Sequence, residues 1–151
     1  MFEAKYKALS VRQPWAWLIC AGYKDIENRN WHLHMPPLLN YPQKTMRIYV
    51  HASSSKSEVE DKNVWAYCLR RLKQKQAAEL LRPDRLVYGA IIGEVDITGC
   101  VGRSDSRWFV GPYGFVLAYP VLYERPIPCK GKLGLFEPEL TEVSVYKLEV
   151  T

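Results

Sequence analysis

Ten residues constrain this chain more than any others. The stretch Gly22-Tyr23-Lys24-Asp25-Ile26-Glu27-Asn28-Arg29-Asn30-Trp31 stands directly behind the apolar run Trp15-Ala16-Trp17-Leu18-Ile19-Cys20-Ala21. The apolar run must be buried. Six of the ten residues that follow are charged or amide-bearing, and two are aromatic. A polar segment attached so closely to the core is costly unless its charges pair with one another or face a ligand. It therefore reads as one wall of a cleft, with the rest of the chain built to hold that wall.

The surrounding sequence predicts a mainly β scaffold. Lys7–Arg12 alternates with Leu9 and Val11 inward, and Met46–His51 alternates with Met46, Ile48 and Val50 inward. Between them Pro14 suits the first turn of a short helix over Trp15–Ala21, and Gly22 suits its C-terminal end. Ile26 and Trp31 support an extended segment through Asn30, and the proline-bearing stretch 32–44 reads as a loop. Tyr88–Val101 is strand-like, with Ile91, Val95 and Ile97 on one face and Ile92, Glu94, Asp96 and Thr98 on the other. Gly93 inside it predicts a bulge or the close approach of another backbone. Phe115–Tyr119 reads as a central strand that Pro120 bends or ends, Val121–Ile127 as an edge strand, 130–136 as a basic turn and 143–150 as a closing strand.

One long helix is expected. Ser57 followed by Glu60 is a capping-box pattern, and Trp65, Cys68, Leu69, Leu72, Gln76 and Leu80 recur at helical spacing as far as Pro83. The sum is a single α+β domain over residues 1–151: a partly closed β-barrel with one short and one long helix.

Composition narrows the function classes. With 48% hydrophobic and 25% charged residues the chain is ordinary globular material. Its apolar runs fall far short of the roughly 20 residues needed to span a bilayer, and no signal core follows Met1–Lys7. A cytoplasmic location and no membrane partner follow as the default expectation. Cys20, Cys68, Cys100 and Cys129 are scattered without a C-x-x-C pair, so they read as thiols, and no zinc spacing joins them to His32, His34 and His51. No metal or other cofactor is expected. His51 with Ser53 lacks an acid partner and reads as structural. A net charge of +5 with 13% aromatic residues is compatible with an anionic partner that stacks, as single-stranded nucleic acid does.

The run Leu9-Ser10-Val11-Arg12-Gln13-Pro14-Trp15-Ala16, followed by Gly22-x-Lys24-x-x-Glu27-x-Arg29, resembles the signature of the ASCH domain family. Tyr49–Ser53, Gly89–Val95 and Trp108–Phe115 stand where that family has its later blocks, so the resemblance spans nearly the whole chain. It implies a PUA-like β-barrel with a positively lined cleft that binds RNA or a modified nucleoside or nucleotide. A related bacterial branch hydrolyses N4-acetylcytidine with a lysine, a threonine and a strand glutamate. Lys24 and Glu94 match the lysine and glutamate, while Glu27 stands at the threonine position.

The candidate catalytic residues are accordingly Lys24, Glu94 and, at the family nucleophile position, Glu27. A desolvated lysine attacks or deprotonates, and a carboxylate shuttles the proton. Lys24, Glu27, Arg29, Trp15, Arg12, Trp108, Tyr113 and Lys130 are the candidate ligand-binding residues, with Trp108 and Tyr113 at the mouth and Arg103, Arg107 and Lys132 as further rim cations. For Glu27 and Arg29 to converge with Lys24, the chain must bend near Asp25. RNA or nucleotide binding is the leading expectation. A metal-independent hydrolase in the same cleft (amidohydrolase or ribonuclease) and a protein-interaction module are the alternatives.

Overall fold

The structure is a computed structural model that describes residues 4–34, 45–141, 144 and 148. Its strands are β1 (Lys7–Val11), β2 (Ile26–Arg29), β3 (Met46–Ala52), β4 (Ala90–Val101), β5 (Tyr113–Pro128) and β6 (Leu135–Phe136), and its helices α1 (Trp15–Cys20), α2 (Lys62–Arg71) and α3 (Gln74–Leu80). All six strands join one curled half-barrel sheet in the order β2-β5-β4-β3-β1-β6. β1 and β3 run parallel, as a crossover through α1 and β2 permits, and the other pairs are antiparallel.

Period-two alternation sorts the side chains onto two faces. Leu9, Val11, Ile48, Val50, Val95 and Ile97 form the main core together with Trp17, Leu18 and Ile19 of α1. Ala8, Tyr49, Tyr123, Ile127 and Phe136 form a smaller cluster on the other face. The expected face of β4 needs one correction. Ile91 belongs to the smaller cluster and Ile92 to the main core, because the pairing shifts register between Ile91 and Gly93 and between Val50 and His51. An extra residue at a bulge flips every side chain before it relative to those after it. Gly93 also lies against other atoms: a Cβ there would stand 2.1 Å from the Val121 carbonyl oxygen and 2.7 Å from the Cys20 sulfur.

Several elements differ in extent from the expectation. The long helix is two helices. Asp61, not Ser57, caps α2 by accepting from the Asn63 N–H, and the extended backbone of Leu72 and Lys73 breaks the run. The Gln76 side chain then accepts from the Lys73 N–H and starts α3. Pro120 does not end a strand, since β5 continues through it; Tyr119, with φ of +53°, takes up the irregularity. The end of the basic turn pairs with β1 as β6. Residues 35–44 of the expected loop lie outside the described residues, as does most of the expected closing strand over 143–150. Its two described positions, Ser144 and Leu148, are helical. The four cysteines are free, Cys20 and Cys68 being buried, and no helix among the described residues is long and apolar enough to cross a membrane.

Candidate functional site

The end of α1 aims the site. Gly22, with φ of +87°, lets the chain reverse, and the N–H groups of Tyr23 and Lys24 both donate to the Leu18 carbonyl, at 2.9 and 3.0 Å. This turn precedes β2, so Lys24 is not bound to the alternation of the strand. Its ammonium swings onto the side occupied by Glu27, where it donates to the Ile26 carbonyl and lies 3.2 Å from Glu27 Oε1. Arg29, two residues along the strand, donates from Nε to Glu27 Oε2 at 3.0 Å and from Nη2 to the Ser10 carbonyl at 2.8 Å.

Lys24, Glu27 and Arg29 thus form one connected group, with Lys24 and Glu27 buried to 4% and 7% exposure. Two cations against one carboxylate leave a net positive charge in a poorly solvated place. Burying such a group is unfavourable unless its polar atoms are engaged. Here each carboxylate oxygen has a cationic partner, while Arg29 Nη1 has none among the described residues.

These residues line a cavity of about 1100 Å³. Trp15, Tyr67 and Trp108 make its aromatic wall, meeting edge to face at centroid distances of 5.8 Å (Trp15–Tyr67) and 6.1 Å (Tyr67–Trp108). The Lys24 ammonium stands 5.7 Å from the Trp15 ring centre. Arg12, Lys130 and Lys132 line the opening. Two of them face acids, Arg12 reaching Glu58 at 3.9 Å and Lys132 reaching Glu139 at 3.2 Å; exposed pairs of this kind contribute little. Asn28 ties the wall to the floor. Its Nδ2 donates to the Trp108 carbonyl, and its Oδ1 accepts from the N–H groups of Val110 and Gly111.

Comparison with known proteins gives one distant likeness. No family model matches the chain. Over 131 residues it is 25% identical to "Activating signal cointegrator 1" of Homo sapiens, an alignment covering 82% of this chain and 20% of that protein. The chain therefore spans about a fifth of that relative's length. The curled half-barrel sheet fits the PUA-like architecture that the sequence resemblance implies.

Against this geometry the sequence-based candidates divide. Lys24, Glu27, Arg29, Trp15, Arg12, Trp108 and Lys130 all line the cavity. Glu94 does not. It belongs with the smaller cluster, where Arg47 Nε donates to Glu94 Oε2 at 2.6 Å, the Tyr123 hydroxyl donates to Oε1 at 2.5 Å, and Arg47 also bonds Asp96 at 3.0 Å. The pairing of Lys24 with Glu94 as a reacting couple is corrected on this ground: strand alternation sets Glu94 opposite Val95, and the pairing of β4 with β3 places it beside Arg47. Tyr113 also lies off the cavity, packed edge to face on His32. Trp108 is a wall and not an open mouth, at 5% exposure. Arg103 and Arg107 stand apart from the lining; the Arg107 guanidinium donates to the Arg70 carbonyl instead.

Sequence reasoning missed Tyr67, Asn63, Ser10 and His51 as lining residues. Tyr67 was legible in one respect. Asn63, Tyr67 and Arg71 recur every four residues, a stripe separate from the apolar one. His51 was paired in expectation with Ser53, but its neighbour is Ser10, one strand over in the parallel β1–β3 ladder.

Proposed function

We propose that this chain is an ASCH-type domain of PUA-like architecture that binds RNA or a nucleotide in the cavity between β2, α2 and the loops after β4 and β5. The observation that carries the reading is the buried Lys24–Glu27–Arg29 group, which sets a net positive floor beneath an aromatic wall. An aromatic face takes a base of any sequence, and a cationic floor takes its phosphate. In this reading Glu27 holds two cations in place, Arg29 Nη1 meets the phosphate, Trp15 and Tyr67 offer the stacking surface, and Arg12 and Lys130 follow the chain out of the cavity. About 1100 Å³ accommodates more than one nucleotide, in keeping with an oligomer as ligand.

The test is fluorescence anisotropy with a short labelled single-stranded RNA. Wild type is expected to bind, and Arg29→Ala to weaken binding at least tenfold while retaining the far-UV spectrum and thermal transition of the wild type. Equal binding by a folded Arg29→Ala variant refutes the site. A protein-interaction role is less well supported, because Arg12, Lys130 and Lys132 gather at one opening rather than scattering over the surface.

A further inference from the structure

The cavity contains a second polar group that the binding reading does not use. Ser10 Oγ lies 3.0 Å from His51 Nδ1, and His51 Nε2 lies 2.6 Å from the Cys129 carbonyl oxygen. A carbonyl only accepts, so Nε2 carries the proton and donates. The neutral ring then has one acceptor, Nδ1, and the Ser10 hydroxyl must donate to it. The direction of both bonds is therefore fixed without reference to a hydrogen position: hydroxyl to imidazole, imidazole to carbonyl. His51 is buried at 2% exposure, and burial holds its pKa below the usual imidazole value. A ring that stays neutral near pH 7 remains able to accept a proton.

Two further observations place this pair in a site. Ser10 and His51 both line the cavity, and the Ser10 carbonyl anchors Arg29 Nη2, so the nucleophile's own residue holds a guanidinium whose Nη1 has no partner among the described residues. Gly131 covers the pair closely: a Cβ there would lie 2.7 Å from His51 Cε1 and 3.1 Å from Ser10 Oγ. A side chain at 131 would press on the pair.

We propose that Ser10 is a nucleophile activated by His51, and that the cavity cleaves an acyl ester carried on a phosphate-bearing molecule. The carrier rests on the nucleotide-binding reading above; the nucleophile does not. Ser10 Oγ forms a bond to the acyl carbon while its proton passes to His51 Nδ1, and the imidazolium so formed keeps its Nε2–H on the Cys129 carbonyl. The bond to the leaving oxygen breaks, and that oxygen takes the proton from Nδ1. Water then adds to the acyl-serine, giving its proton to Nδ1. The Oγ–carbon bond breaks, Oγ recovers the proton, and a carboxylic acid leaves. Only water is consumed. The hydroxyl–imidazole–carbonyl order serves the same purpose as a triad in which a carboxylate orients the histidine.

A biotinylated fluorophosphonate tests the nucleophile, with the adduct located by peptide mass spectrometry. The expected result is a single adduct on Ser10 of the folded wild type, absent in Ser10→Ala and at least tenfold slower to form in His51→Gln. Gly131→Ala, which keeps both reacting groups but presses a methyl against them, is expected to slow labelling as well, and it keeps the test open if His51→Gln does not fold. No adduct on the folded wild type, or one that persists in Ser10→Ala, overturns the proposal. RNA binding by wild type is measured in parallel. Binding without labelling removes the nucleophile and leaves the cavity reading standing, whereas the absence of both removes the two together.

Discussion

Tyr123 and Glu94 meet outside the cavity lining, the phenol donating to the carboxylate at 2.5 Å while Arg47 grips the other oxygen at 2.6 Å. The side chains of Glu94 and Arg47 are 22% and 18% exposed, so water screens the pair only in part. Glu94→Gln removes one of the two carboxylate charges that Arg47 faces, Asp96 keeping the other, and is expected to lower stability by about 2 kcal/mol. Nucleic-acid affinity and fluorophosphonate labelling are expected to stay within twofold of wild type. Urea denaturation and anisotropy on the same preparation check both.

The same cluster predicts alkaline weakening. Burial first, and the Glu94 charge second, push the Tyr49 phenol up to about 12, and burial with the Glu94 hydrogen bond pushes Tyr123 up as well. Unfolded tyrosines lose their protons near pH 10. Above that pH the unfolded chain binds fewer protons than the folded one, so stability falls as pH rises. The contribution of Tyr49 is complete below about pH 10 and lost toward about pH 12. Urea midpoints measured from pH 9 to 11.5 are expected to fall, and less steeply in Tyr49→Phe.

Removing the carboxylate from the cavity floor is expected to cost more than removing either cation. Glu27→Ala leaves Lys24 and Arg29 facing each other unpaired in a buried place, a loss of about 3 kcal/mol or more. Arg29→Ala leaves the Lys24–Glu27 pair intact and the floor neutral. Chemical denaturation of the two variants side by side is expected to rank them in that order.

If the cavity holds single-stranded RNA, binding must depend on salt. With three or four phosphates met by Arg12, Arg29, Lys130 and Lys132, the slope of log K against log salt is expected to be roughly −2 to −3, and Lys130→Ala to reduce it by about 0.7. Trp15→Ala is expected to weaken binding without changing the slope, because stacking releases no counterion. Anisotropy titrations from 50 to 300 mM salt separate the two effects.

Gly93 and Gly99 stand in one strand and respond oppositely to a methyl group. At Gly93 the added carbon meets the Val121 carbonyl and Cys20; at Gly99 it meets nothing within 4 Å. Gly93→Ala is expected to cost about 3 kcal/mol, since backbone on one side has to move. Gly99→Ala is expected to be neutral or mildly stabilising. Thermal melts of the pair decide it.

Much of this scaffold was legible because period-two alternation survives in single strands. Leu9 with Val11, and Met46 with Ile48 and Val50, declare their faces alone. The polar segment after α1 was legible too, because charges that dense next to a core have few other places to go. What was not legible depends on neighbours in space. A bulge between Ile91 and Gly93 is a property of paired strands, and so is the β3–β4 register that sets Glu94 beside Arg47 and not Lys24. Likewise, no local pattern joins Ser10 to His51, which meet through a parallel ladder 41 residues apart in sequence. Trp108 misled for a related reason: its loop is polar, but Tyr67, on a distant helix, supplies the apolar partner that the loop lacks.

Asn28 has a consequence for how a ligand gets in. One amide holds the carbonyl of Trp108 and the two N–H groups of Val110 and Gly111, and it sits between Glu27 and Arg29 on the same strand. The loop beside the opening is therefore registered to the floor before any ligand arrives. A ligand meets a shape already set and has little loop ordering to bring about, so its selectivity rests on fitting that shape rather than on remaking it. If the cavity takes RNA, such an opening acts as a gauge, selecting by width as well as by charge.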